Sequence, residues 1–285
     1  VLAARPLTVS AYITKPFEVS KVLECLERLL PVESSAQARE PCHDDLRTYL
    51  ASRSAADLDL PMLSRVRDKL MQLGGDALDF RELSEDWQHD PALCAYLIAA
   101  ANSPAYAAGE QRCTSLADAL KRLGGRTSLN LAIGLALRQA CQQEEPLLAV
   151  LIQEHLDASE RVAEKVVQLA RQCAVEHGGL QMAALLHRMG ELCVLLQARL
   201  WAEQGNRLDD NAVLQAIDEY ARSFAIALKA RWGLPMALRE LIGAAYALPQ
   251  VQVRREQALM RLAAALCNQE PEAVLERLKR LAGVG

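Results

Sequence analysis

Trp87-Gln88-His89-Asp90-Pro91-Ala92-Leu93-Cys94-Ala95-Tyr96-Leu97-Ile98-Ala99-Ala100-Ala101-Asn102-Ser103-Pro104-Ala105-Tyr106 carries both the start and the stop of a helix. Asp90 is an N-cap carboxylate that can accept from an orphan backbone amide, and Pro91 at the first helical position has no amide to orphan. Leu93, Leu97, Ile98 and Ala101 recur at helical spacing as an apolar stripe. Asn102-Ser103-Pro104 ends the run, because proline disfavours helical conformation in the residue before it.

The surrounding chain has the same character. Of 285 residues 51% are hydrophobic but only 4% aromatic, a mixture that suits helices because unbranched side chains lose little rotamer freedom there. The fold class read from this is all-α. A formal charge of −4 disfavours nucleic acid as a partner, since binding phosphates needs concentrated positive charge. The basic groups Lys121-Arg122 with Arg126, Arg254-Arg255, and Arg277 with Lys279-Arg280 read as solvated helix faces or ends. No uninterrupted apolar run is long enough to span a bilayer, and Val1–Pro6 has no signal-peptide core. The eight cysteines stand singly with no CxxC pair, which indicates neither a zinc ribbon nor a redox dithiol and suits a reducing cytoplasm.

Turn signals divide the body into helices expected at 45–53, 61–73, 80–88, 91–102, 115–123, 126–142, 146–176, 180–203, 211–231, 235–247, 252–268 and 271–282. Pro61, Pro146, Pro235 and Pro271 fall at starts, and Gly74-Gly75, Gly124-Gly125 and Gly178-Gly179 are read as ends. The organisation expected is two helical lobes, about 45–142 and 146–250, then a C-terminal helical extension over 251–285. Residues 1–31 differ. Ala11-Tyr12-Ile13-Thr14 is strand-like, Lys15-Pro16-Phe17 a turn, and 19–30 an amphipathic helix, with 32–44 a linker. This resembles the last strand and helix of a response-regulator receiver domain, in which the lysine matching Lys15 contacts the phosphoryl group and the bond to the following proline, here Pro16, is cis. The resemblance covers only a remnant without a phosphoacceptor aspartate, so phosphotransfer is not expected of it.

Leu60-Pro61, the 87–106 run and Ser115-Leu116-Ala117-Asp118-Ala119-Leu120-Lys121-Arg122-Leu123-Gly124 together resemble the HDOD family of bacterial signalling output domains. The resemblance implies a second lobe like that of HD metal phosphohydrolases, usually without their active site. Carried over residue by residue, Glu154-His155-Leu156 matches the first histidine of the HD pattern. Leu185-Leu186-His187-Arg188-Met189-Gly190 matches the His-Asp dipeptide, with Arg188 in place of the aspartate. Trp232-Gly233-Leu234-Pro235 is typical of the family, but Ile242-Gly243-Ala244-Ala245-Tyr246 lacks the histidines often found after it. A guanidinium cannot ligate metal, and about 4 Å from a divalent cation it would repel it by several kcal/mol.

Other chemistry is scarce. His89-Asp90 is a His-Asp pair in the wrong place, where Asp90 is needed as a cap, and His43 and His177 fall in loops. No GxSxG, phosphate loop or GxGxxG occurs, and Gly124-Gly125-Arg126-Thr127 is a common interhelical turn that could hold an anion. The expectation is a non-catalytic signal-transduction module with no cofactor. It would act through a crevice between the lobes that includes Asn102, Ser103, His155, His187 and Arg188, on signalling proteins such as those of cyclic-dinucleotide pathways. The alternatives are a divergent phosphohydrolase recruiting Glu191, Glu154 or Asp157, and a sensor of a small anion or nucleotide beside Arg188. A homodimer through the apolar face of 19–30 is a further expectation.

Overall fold

Asp90 and Pro91 do start a helix in the computed structural model of the chain, which describes residues 45–72, 85–107, 111–139 and 146–284. The helices are α1 (Leu46–Ala51), α2 (Ser64–Gln72), α3 (Pro91–Ala101), α4 (Pro104–Ala107), α5 (Leu116–Leu123), α6 (Gly125–Gln139), α7 (Pro146–Gln172), α8 (Gly178–Leu186), α9 (Met189–Ala202), α10 (Asp210–Arg231), α11 (Met236–Ala244), α12 (Arg255–Cys267) and α13 (Glu272–Ala282). Among the described residues there is no strand, and no helix is long and apolar enough to cross a membrane. The receiver-like remnant 1–31, with Lys15 and Pro16, the linker 32–44 and the Gly74-Gly75 turn lie outside the described residues.

Two helices form the centre. Helix α3 buries Pro91, Ala92, Leu93, Cys94, Ala95, Leu97, Ile98 and Ala101, more than the single stripe that the spacing predicts. Its alanines leave room for neighbours on several sides, and α5, α6 and α8 pack around it. Helix α9 is buried almost all round, from Met189 to Trp201, between α10, α7 and α1. A helix apolar on every side belongs in a core. Helices α7, α8, α11, α12 and α13 complete this half, and the buried apolar side chains form one continuous cluster across the molecule. Helix α1 comes first in the chain, yet it packs on α9 and α10. Arg47 Nη2 pairs with Glu219 at 2.8 Å, and Gln197 Nε2 donates to Asp57 O at 3.0 Å.

Three local outcomes depart from the sequence expectations. The helix expected over 180–203 is broken at His187-Arg188, where Arg188 sits at φ −92°, ψ 22° and caps α9. Pro104, read only as a stop, begins the short α4, whose Tyr106 and Ala107 amides donate to Ser103 O. Gly178-Gly179 open α8 instead of ending α7. Helix α7 ends on Ala174, held at φ 53° in a Schellman turn whose Val175 N–H donates to Ala170 O at 2.9 Å. Helix α12 ends the same way on Gln269, φ 54°, with Glu270 N–H donating to Ala265 O at 3.0 Å. A Cβ is strained in that left-handed conformation. Ala174→Gly and Gln269→Gly should therefore each raise stability by about 1 kcal/mol in urea denaturation, against the usual loss on introducing glycine into a helix interior.

Candidate functional site

The break between α8 and α9 projects His187 and Arg188 toward α7 and the end of α11. His187 closes α8, and its Nδ1 donates to Ala184 O at 2.6 Å, which leaves the ring's lone pair on Nε2. Arg188 reaches α7, where Nη1 donates to His155 Nδ1 at 3.0 Å. That bond makes His155 Nδ1 an acceptor and puts the ring proton on Nε2. Glu191 follows in the first turn of α9. Just beyond α11, the Tyr246 hydroxyl lies 2.7 Å from His187 O and 3.1 Å from Glu191 Oε1. The Tyr246 ring lies at a tilt 5.9 Å from the His187 ring, and the residue is 55% exposed.

The electrostatics follow from burial next to a permanent cation. Burial, and then the Arg188 charge, depress His155 from 6.5 to about 4. His187 also falls to about 4, through burial first, with the Ala184 carbonyl pulling the other way and the Arg188 charge adding to the depression. Burial raises Glu191 against the pull of its own backbone amide and Arg188, and burial with the Glu191 carboxylate pushes the Tyr246 phenol up. Both histidines are neutral at pH 7. In the unfolded chain they take up protons near pH 6.5 and in the folded chain only near 4, so their contribution to stability is whole above 6.5 and is lost as pH falls toward 4. For the more buried His187 the loss is about 2–3 kcal/mol. Asp90, raised by burial to about 6, acts in the opposite sense over the same window. The test is therefore a comparison: His187→Gln should have a shallower fall in urea midpoint between pH 6.5 and 4 than the parent, and equal slopes would refute the assignment.

This constellation does not fit the divalent metal of an HD centre. A guanidinium stands where the carboxylate ligand belongs, and its bond to His155 Nδ1 leaves Nε2 protonated, so that ring presents no free lone pair to an ion. Among the described residues no group of three or more His, Cys, Asp or Glu side chains could hold a metal. Glu191, considered as a recruited ligand, is joined to Tyr246, while Asp157 accepts from Gln153 Nε2 one turn away on α7. Tyr246 is the member that sequence reasoning missed. It ends the Ile242–Tyr246 stretch that lacks the family's histidines, and a phenol there carries no metal-ligand signal.

Asn102 and Ser103 belong elsewhere. Asn102 is buried; its Nδ2 donates to Cys113 O at 2.9 Å and its Oδ1 accepts from Cys113 N–H at 2.8 Å. The amide thus clamps the loop before α5 to the end of α3 with both its polar atoms. Asn102 and Ser103 line a cleft of about 690 Å³ with Arg112, Arg231 and Trp232, a lining that contains none of His155, His187 or Arg188. The single crevice expected from sequence is therefore two places. His89-Asp90 is structural, as expected: Asp90 caps α3, and its other oxygen accepts from Leu63 N–H at 2.8 Å. His89 Nδ1 lies 3.4 Å from Glu160 Oε1 on α7. Gly124, at φ 74°, ends α5 and Gly125 opens α6 directly, with Ser128 Oγ donating back to Gly124 O.

Comparison with solved structures supports the fold. The MmoQ response regulator of Methylococcus capsulatus (Bath), as a fragment of residues 20–298, superposes with a TM-score of 0.59 at 19% identity, covering 80% of this chain and 92% of that one. A virulence factor of Campylobacter jejuni superposes with a TM-score of 0.56 at 16% identity, covering 84% of this chain and 92% of that one. Identities this low establish shared architecture and nothing finer. No curated protein matches the chain. The HDOD domain model matches residues 60–248, from just before α2 to just after α11, and on that match the chain belongs to the HDOD domain family.

Proposed function

We propose that this protein is a non-catalytic signal-output module of a response-regulator-type protein, and that it works by presenting a helical surface to other signalling proteins. The observation that carries the reading is the 3.0 Å bond from Arg188 Nη1 to His155 Nδ1. A hydrolytic HD centre needs an anionic cage that concentrates a divalent ion and generates hydroxide from bound water. Here a permanent cation is inserted into that cage and held by one of its histidines. Removing a carboxylate and adding a guanidinium change the local charge in the same direction, so both act against metal affinity. The resemblance of residues 1–31 to a receiver, and the fold shared with a protein described as a response regulator, favour a place in signal transduction.

The test is metal analysis with a hydrolysis assay on the full chain. Protein purified without chelator, then incubated with Mn²⁺, Fe²⁺ or Ni²⁺ and desalted, should retain well under one ion per chain. It should cleave bis(p-nitrophenyl) phosphate no faster than buffer. Stoichiometric metal that is lost in His187→Ala, together with turnover, would show that the protein is an enzyme.

A further inference from the structure

The cleft that holds Ser103 has a chemistry that the proposed output role leaves unused. It lies where the end of α3 faces the turn after α10, and its walls include Tyr96, Ser103, Arg112, Arg231, Trp232 and Gly233. Two stretches far apart in sequence, Asn102-Ser103-Pro104 and Trp232-Gly233, meet there. Its volume of about 690 Å³ falls in the range of about 300–1,000 Å³ usual for small-molecule sites. Tyr96 and Trp232 are both half-buried, so each shows part of a ring while the rest is anchored. Arg112 and Arg231 are exposed, and neither forms an ion pair among the described residues. Asp59 is the one carboxylate of the lining, and its Oδ1 already accepts from Leu60 N–H at 2.9 Å.

Arg112 also lines an adjoining polar cavity of about 600 Å³ with Thr114, Asp118, Lys121 and Arg122. One arginine thus joins an aromatic, largely apolar cleft to a basic one. The loop that carries it is held from both sides, by the Asn102 clamp on Cys113 and by Arg122 Nη2 donating to Gln111 O. Gly233 adopts φ 55° in the turn that carries Trp232, where Leu234 N–H donates to Lys229 O at 3.2 Å, so the backbone from which the indole projects is held by that turn. Flat rings beside two exposed guanidiniums match a ligand with a planar face and an anionic tail. Rings recognise the face by stacking, and arginine recognises phosphate by charge-assisted hydrogen bonds.

We propose that this cleft is a nucleotide-binding site, with the base against Tyr96 and Trp232 and the phosphates on Arg112 and Arg231, extending toward Lys121. It is separate from the Arg188 constellation, so it stands whether or not the chain hydrolyses phosphoesters.

Isothermal titration of the full chain with guanosine and adenosine mono-, di- and triphosphates tests this, with guanosine, inorganic phosphate and an acidic tyrosine-containing peptide as comparators. Saturable nucleotide binding with a Kd below about 1 mM is expected, at least about tenfold tighter than the nucleoside or phosphate alone. Arg112→Ala combined with Arg231→Ala changes exposed side chains and should weaken it by about tenfold or more, whereas Arg188→Ala should leave it unchanged. Trp232→Phe should retain binding that Trp232→Leu loses. No nucleotide binding at about 1 mM, affinity unaffected in the double arginine variant, or binding of the peptide alone would overturn the proposal.

Discussion

Gly190→Ala should destabilise the protein by about 3 kcal/mol or more, enough to lose the cooperative fold in a marginal background. A Cβ built on Gly190 would lie 2.0 Å from Ala221 O, 2.7 Å from Ala221 C and 3.1 Å from Ala225 Cβ. The first two are backbone atoms of α10, so no rotamer change can relieve the overlap and the two helices must separate. Helix α9 is the most enclosed helix of its half, and separation would disrupt contacts along the length of α10. The sign decides the matter. In an open helical position alanine is worth about 1 kcal/mol more than glycine. Gly134, in α6, has nothing within 4 Å of its built Cβ, so Gly134→Ala should stabilise. Urea denaturation of both variants tests the pair, and a stabilised Gly190→Ala would mean that α9 and α10 do not cross closely there.

Asp90→Ala should cost about 2–4 kcal/mol. Its two oxygens serve different segments: one accepts from Leu93 N–H at 2.9 Å inside α3, the other from Leu63 N–H at 2.8 Å, at the approach to α2. Loss of a cap alone costs about 1 kcal/mol, and leaving a second buried amide without a partner adds about 1–3 kcal/mol. Relief from burying a carboxylate, whose pKa burial raises to about 6, offsets part of this at neutral pH. Asp90→Asn keeps one acceptor oxygen and turns a donor toward an N–H, so it should recover at most half. Hydrogen exchange supplies the second readout, with Leu63 and Leu93 amides losing protection together. A loss under about 1 kcal/mol with Leu63 still protected would show that the tie between segments carries little energy.

Much of this was legible in the chain. Low aromatic content and helical spacing indicate an all-helical body, and Asp90-Pro91 marks the start of α3 because capping is a local interaction between near neighbours. The charge at position 188 was legible too, since a guanidinium in place of a carboxylate offers no lone pair to an ion. Less visible were features set by neighbours distant in sequence. The stripe of α3 does not show that its alanine faces are covered as well. Nor does the pattern over 180–203 show a break, because the residues at His187-Arg188 contain neither proline nor glycine.

The fold class, the cap of α3 and the charge at position 188 each depend on residue chemistry or on contacts within a turn, and so can be read from the chain alone. That Arg188 binds His155, that Tyr246 joins them, and that Asn102 and Ser103 face a different cleft with Trp232 emerges with the three-dimensional packing. Those partners stand 33, 59 and more than a hundred residues apart, and their meeting follows from how helices α3 and α7 to α11 pack into one core. Packing at that range is a property of the assembled helices, and no local pattern encodes it.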